Sequence, residues 1–241
     1  PILHSFKSFQ HLRVGVRDIL GKEDLRDSHR ALSDIAEVCL QQIASRQFDR
    51  MVSKFGRPIR ENADGEIQDC GVVIIALGKM GGREPNYHSD LDIIFLFEDD
   101  GHTQHLARGA HRDPTTNQHF FSKLGQKIIK YGTAMGPLGR LYDIDPRLRP
   151  TGRNGSLAVS LGEFERYYSE GRGQLWERQA LCKARPVFGS PKAREKAMEL
   201  IRRVITGYSW QPSSAEEIRN MRIRMQQTAS DRNLKRGIGG T

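Results

Sequence analysis

Nothing in this 241-residue chain approaches the roughly 20 consecutive apolar residues needed to cross a bilayer, and no signal-peptide pattern opens it. Cysteine is scarce: Cys39, Cys70 and Cys182 form an odd, scattered set without metal-ligand spacing. That argues against a disulfide framework and leads us to expect a reduced, cytoplasmic protein. Aromatic residues make up only 7% of the chain, with no run interleaved among lysines as a base-stacking platform. Internal repeats and low-complexity tracts are also missing. Apolar residues stand at 37%, below the usual share, against 28% charged. The length suits one large domain or two coupled ones, with a charged surface over an ample core.

The most informative segment runs from Gly78 to Asp92, where Gly78-Lys79-Met80-Gly81-Gly82 leads into Ser89-Asp90-Leu91-Asp92. On either side, Gly71–Leu77 and Leu91–Phe97 are short, β-branched apolar runs that read as buried strands. Asp90 and Asp92 stand two apart, so they project from one face at the head of the second strand. Two close carboxylates repel each other and need a canceling charge. A divalent cation with hard oxygen ligands, usually Mg²⁺, supplies it and commonly arrives with a nucleotide's phosphates. The glycines permit close approach of main-chain N–H groups to phosphate oxygens. Ser89 adds a hydroxyl, and Lys79 or Arg83 adds charge. Together these residues predict metal-dependent transfer of a nucleotidyl or phosphoryl group.

A third acid comes from Leu138–Pro146, which alternates enough to predict another strand, with Asp143 and Asp145 on one face. If that strand lies beside 91–97, one of the two completes a three-carboxylate cluster; Asp145 is the favoured one. Such a cluster suits two metal ions roughly 3.5–4 Å apart. Arg147, Arg149 and Arg153 follow in a glycine-containing loop. Their guanidinium groups suit phosphate binding and carboxylate bracing equally.

Elsewhere the pattern predicts a helix over 28–55 capped by Asp27 or Ser28, a loop over 56–69 and a polar connection over 99–117. Further helices are predicted over 116–133, 161–170, 174–187, 191–206 and 213–229, with a short strand at 156–160. His102, His105, His111 and His119 lack cysteine neighbours and read as part of an exposed loop, so no zinc site is assigned. Trp176 and Glu177 are expected to pack and to form a salt bridge on a helix. Lys183 and Arg185 suit the end of that helix as well as they suit a nucleotide.

The segment Gly78–Phe97, with Tyr142-Asp143-Ile144-Asp145-Pro146-Arg147-Leu148-Arg149-Pro150-Thr151-Gly152 and Gln174–Arg185, resembles the adenylyltransferases that modify bacterial glutamine synthetase. The resemblance extends over nearly the whole chain, including Arg13–Gly21. It implies an α+β fold with a nucleotidyltransferase-type mixed β-sheet core flanked by helices, and a helical C-terminal extension. The expected divisions are an N-terminal helical segment over 1–68, the sheet core over 69–160, and the extension over 161–241. Members of this family carry two such domains. One adds AMP from ATP to a tyrosine of glutamine synthetase, and the other removes it by phosphorolysis, yielding ADP. A start without methionine and an end in Gly239-Gly240-Thr241 lead us to expect a domain excised from a longer protein, the adenylylating copy being favoured.

By the same resemblance, Asp90, Asp92 and Asp145 are catalytic metal ligands for Mg²⁺. Gly78, Lys79, Gly81, Gly82, Ser89, Arg147 and Arg149 are the expected nucleotide-binding residues. Glutamine synthetase is the expected partner, with a PII-type nitrogen regulatory protein acting through the full-length protein. The formal net charge of +9 opens a competing reading, nucleotidyl transfer to nucleic-acid ends. The missing stacking platform argues against it. A catalytically dead, regulator-binding domain is the third reading, and the intact acids argue against that one.

Overall fold

The computed structural model describes residues 2–62, 64–105 and 114–228. The chain begins with α1 (Ile2–Ile19) and α2 (Leu25–Phe55), then strands β1 (Arg57–Glu61), β2 (Ile67–Asp69) and β3 (Val72–Ala76). A one-turn helix α3 (Gly78–Gly81) precedes β4 (Leu91–Phe97), β5 (His102–Gln104) and α4 (Asn117–Thr133). Short strands β6 (Met135–Gly136), β7 (Gly139–Arg140), β8 (Ile144–Asp145) and β9 (Ala158–Ser160) follow. The chain then forms α5 (Leu161–Ser169), α6 (Leu175–Leu181), β10 (Arg185–Phe188), α7 (Pro191–Thr206) and α8 (Pro212–Thr228).

The central sheet runs β10-β3-β4, and the far edge of β4 is shared between β8 and β9. β10, β3 and β4 are antiparallel neighbours, whereas β8 and β9 both lie parallel to β4. Strands covered on both faces need apolar side chains at every position, which is why Val72–Leu77 and Leu91–Phe97 hardly alternate. Val72, Ile74, Ala76, Ile93, Phe95 and Phe97 pack against Leu40 and Ile43 of α2 and Phe120, Phe121 and Leu124 of α4. Val73, Ile75, Ile94 and Leu96 face the other way, onto Phe164 of α5, Leu181 of α6 and Ala197 and Leu200 of α7. The result is a mixed sheet between two helical layers, the expected α+β class.

Several sequence expectations need correction. The N-terminal segment 1–68 is not wholly helical: Asn62 nucleates a hairpin turn by accepting from the backbone N–H groups of Asp64 and Glu66, pairing β1 with β2. β1 also pairs with β5, which puts a strand inside the expected 99–117 loop. The helix over 174–187 stops at Leu181, and Arg185, the residue before Pro186, is already extended at the start of β10. β10 then joins the core sheet, so the sheet reaches into the expected helical extension 161–241. The strand expected over 138–146 is broken; β7 turns back on β6, and only Ile144–Asp145 reaches β4. The N-cap of α2 is Asp24, whose carboxylate accepts from the Asp27 N–H, while Ser28 lies buried within the helix. His111 and the tail from 229 onward lie outside the described residues.

Candidate active site

The antiparallel pairing of β3 with β4 brings the end of one strand beside the start of the other. The Leu77 N–H donates to the Asp92 carbonyl at 2.8 Å, placing Gly78 directly against Asp92. Period-two geometry puts Asp90 and Asp92 on the side of the sheet that also carries Ile94 and Leu96. In the parallel ladder, Asp92 stands opposite Asp145. Neighbours in register point to the same face, so the third carboxylate joins the first two. One oxygen from each of Asp90, Asp92 and Asp145 lies within 4.8 Å of the others. Three hard oxygen donors at that spacing fit a divalent cation such as Mg²⁺.

Asp143 does not join this group. Its carboxylate is 65% exposed and pairs with Arg140, while its backbone carbonyl accepts from the Leu91 N–H at 2.8 Å. Asp145 is held by Arg147, whose backbone N–H donates at 2.9 Å and whose Nε donates to the two carboxylate oxygens at 2.8 and 2.7 Å. The Arg147 hydrogen bonds hold the Asp145 carboxyl below the usual range against the opposing effect of burial.

These acids open onto a cleft of about 740 Å³. Gly78, Lys79, Asp90, Asp92, Asp145 and Arg147 all line it. The other expected nucleotide-binding residues, Gly81, Gly82, Ser89 and Arg149, do not line this cleft. Gly81 packs so tightly on the Lys183 carbonyl that a Cβ would come within 2.1 Å of it. Gly82 lies against Glu84 and Lys183. The Ser89 hydroxyl is buried and donates to Asn86 Oδ1 at 2.8 Å, shaping the turn. The buried Arg149 donates to the carbonyls of Pro146 and Ser156 at 2.7 and 3.1 Å and so braces the loop that carries Arg147. Arg83 pairs with Asp34 on α2, away from the cleft lining.

The cleft also recruits His29, Glu84, Asn86, Trp176 and Arg222. Nothing in the local sequence flags His29 or Asn86, since each belongs to an ordinary helix or turn. Arg222 sits in a basic run that reads as a solvated helix face. Lys183 also lines the cleft and pairs with Glu84. Arg185 is instead spent on Glu37, the Ser33 hydroxyl and the Met80 carbonyl. Among the described residues Glu177 forms no salt bridge; it accepts from the Tyr167 hydroxyl and the Gln174 N–H.

A mixed sheet between helices, with a glycine turn and an aspartate triad at one strand end, defines a nucleotidyltransferase-type domain. The chain belongs to the glutamate-ammonia ligase adenylyltransferase family, whose family model matches residues 2–200. It is 39% identical, over 99% of its length, to the bifunctional glutamine synthetase adenylyltransferase/adenylyl-removing enzyme of Thioalkalivibrio sulfidiphilus, and covers 24% of that protein. The proteins of the same name from Pseudomonas putida and Pseudomonas aeruginosa are 38% and 35% identical over 92% and 99% of the chain, which covers 22% and 24% of them. The chain therefore spans about a quarter of the length of the curated relatives it matches. Among the described residues, no helix is long and apolar enough to cross a membrane.

Proposed function

We propose that this chain carries a Mg²⁺-dependent centre that moves AMP from ATP to a tyrosine hydroxyl of glutamine synthetase, or runs the phosphorolytic reverse. The observation that carries this reading is the convergence of Asp90, Asp92 and Asp145 at the mouth of the cleft. The activities for which its relatives are named support it. Of the two directions we favour adenylylation, on the family resemblance. The partner is glutamine synthetase, with a PII-type regulator acting through the full-length protein, in the cytoplasm.

Asp90, Asp92 and Asp145 are the residues that would hold Mg²⁺. Bound there, the ion would neutralise phosphate charge and ease deprotonation of the attacking hydroxyl. The remaining work is positioning and electrostatics by the chain itself. Lys79 and Arg147 bring positive charge to the cleft that would take the triphosphate. Gly78 lets the turn lie flush against Asp92. Trp176 offers an aromatic surface on the same wall, suited to stacking a base. A second hollow of about 450 Å³, lined by Asp143, Pro146, Arg149 and Arg153, shares Asp90, Asp145 and Arg147 with the larger cleft. A phosphorus held at those shared residues is open from two directions, as in-line displacement requires. The nucleotide takes the larger cleft and the tyrosine enters through the smaller.

The test supplies labelled ATP and Mg²⁺ to the protein with glutamine synthetase in one tube and RNA in another. Label on glutamine synthetase, lost in Asp92→Asn with unchanged circular dichroism, supports the proposal. Label on RNA, or near-normal turnover by the variant, overturns it.

A further inference from the structure

A second large hollow, of about 700 Å³, lies at the opposite end of the sheet from the aspartates. Its wall includes Cys70–Val72 at the start of β3 and Glu98 just past the end of β4, whereas the acids cluster beyond the end of β3. The five residues of β3 separate the two sites by roughly 17 Å. The two clefts share no lining residue.

Its charge is one-sided once internal pairs are removed. Of the acids on the wall, Asp69 is matched by Arg57 at 3.3 Å. Glu98 is held by the Gly71 N–H at 2.8 Å and by Lys196, from outside the lining, at 2.9 Å. Arg60 lies 3.6 Å from Glu98 and shares it with Lys196, and the wall's four cations, Arg57, Arg60, Lys192 and Arg194, outnumber its two acids and leave the hollow positive. The Arg60 side chain is only 12% exposed, and its buried Nε finds no acceptor among the described residues. α7 begins at the rim with Ser190 as its N-cap, directing the positive end of a 16-residue helix there. Phe48, Pro58, Val72 and Phe188 supply an apolar floor. A concave, largely preformed site with few charged groups over apolar walls is the usual form of a small-molecule pocket.

We propose that this hollow binds a small anionic metabolite, its carboxylate or phosphate head on Arg60, Lys192 and Arg194 and its body against Phe48 and Phe188. The site is separate from the transfer centre and does not depend on that assignment.

Titration calorimetry on the intact protein with inorganic phosphate and with succinate, a four-carbon dicarboxylate, tests it. The expected result is saturable binding of at least one probe, and which one identifies the head group. Lys192→Glu, an exposed change that leaves the fold alone, should weaken that binding about tenfold. Arg60→Gln should weaken it further if that variant folds. Binding should persist in Asp92→Asn and in the presence of Mg-ATP. No saturable binding of either probe, indifference to Lys192→Glu, or displacement by Mg-ATP would overturn the proposal.

Discussion

Gly78 and Asp92 are in contact across the turn: a Cβ on residue 78 would stand 2.3 Å from Asp92 Oδ2. Gly78 also has φ of +52°, a conformation that costs an L-residue roughly 1–2 kcal/mol. Gly78→Ala therefore both strains the backbone and pushes a metal-side carboxylate out of place. We expect it to lose about 1–2 kcal/mol of stability and at least about 100-fold in AMP transfer. Denaturant unfolding and a labelled-ATP assay measure the two effects. A variant with wild-type turnover would show that the contact is incidental.

Asp143 and Asp145 share a strand face on paper, yet only Asp145 meets Asp90 and Asp92. Asp145→Asn should abolish metal-dependent transfer, dropping it by roughly 100-fold or more. Asp143→Asn should change turnover by no more than about threefold, because an exposed pair with Arg140 contributes under about 1 kcal/mol. Mn²⁺ binding followed by electron paramagnetic resonance separates the two variants without relying on activity. Equal loss of Mn²⁺ in both would refute the assignment.

His11 gives the fold a pH dependence. It lies edge-on to Tyr87 and Tyr142, at ring-centre distances of 5.7 and 6.3 Å. Burial, followed by the nearby Lys7 and His88, depresses its pKa to about 4 from the ordinary value of 6.5. Between those values the unfolded chain takes up a proton that the folded chain refuses. Stability contributed by neutral His11 is thus present above pH 6.5 and lost as the pH falls towards 4. His11→Gln should flatten the decline in melting temperature over that window. Parallel curves for wild type and variant would exclude His11 as the cause.

The elements read most accurately from sequence were those with strong physical signatures. Leu91–Phe97 is a strand with the expected bounds because no other use of seven such residues buries them on both faces. The helix at Pro191–Thr206 shows its start in Ser190-Pro191, a cap followed by proline at the first turn. The β1–β2 hairpin leaves no apolar pattern in the sequence, because Arg57–Asp69 is polar and its pairing is set by Asn62 and by the distant β5. Within the site, the spacing of Asp90 and Asp92 and the later Asp145 were legible as a chemical pattern. That Arg149 would turn inward onto Pro146, Gly155 and Ser156 was not, since an arginine beside phosphate-suited glycines reads the same in either role. Trp176 and His29 reach the cleft only through the packing of α6 and α2, which no local pattern encodes.

Glu177 stands one residue from Trp176 on the cleft wall, and its 5% exposure makes it a structural acid. Both of its oxygens lie 3.1 Å from the Tyr167 hydroxyl, and Oε2 also accepts from the Gln174 N–H at 2.7 Å, closing a capping box at the start of α6. Glu177→Ala strands a buried hydroxyl and a helix N–H together, so it should cost about 2–4 kcal/mol. Glu177→Gln keeps an acceptor oxygen for both donors and should lose less than half as much. Because α6 carries Trp176, the alanine variant should also raise the KM for ATP while leaving kcat within about threefold, the pattern of disturbed binding rather than lost chemistry. Unfolding in urea and steady-state kinetics on the two variants decide the matter. A glutamine variant as inactive as Asp92→Asn, at full stability, would instead place the Glu177 carboxylate in the reaction.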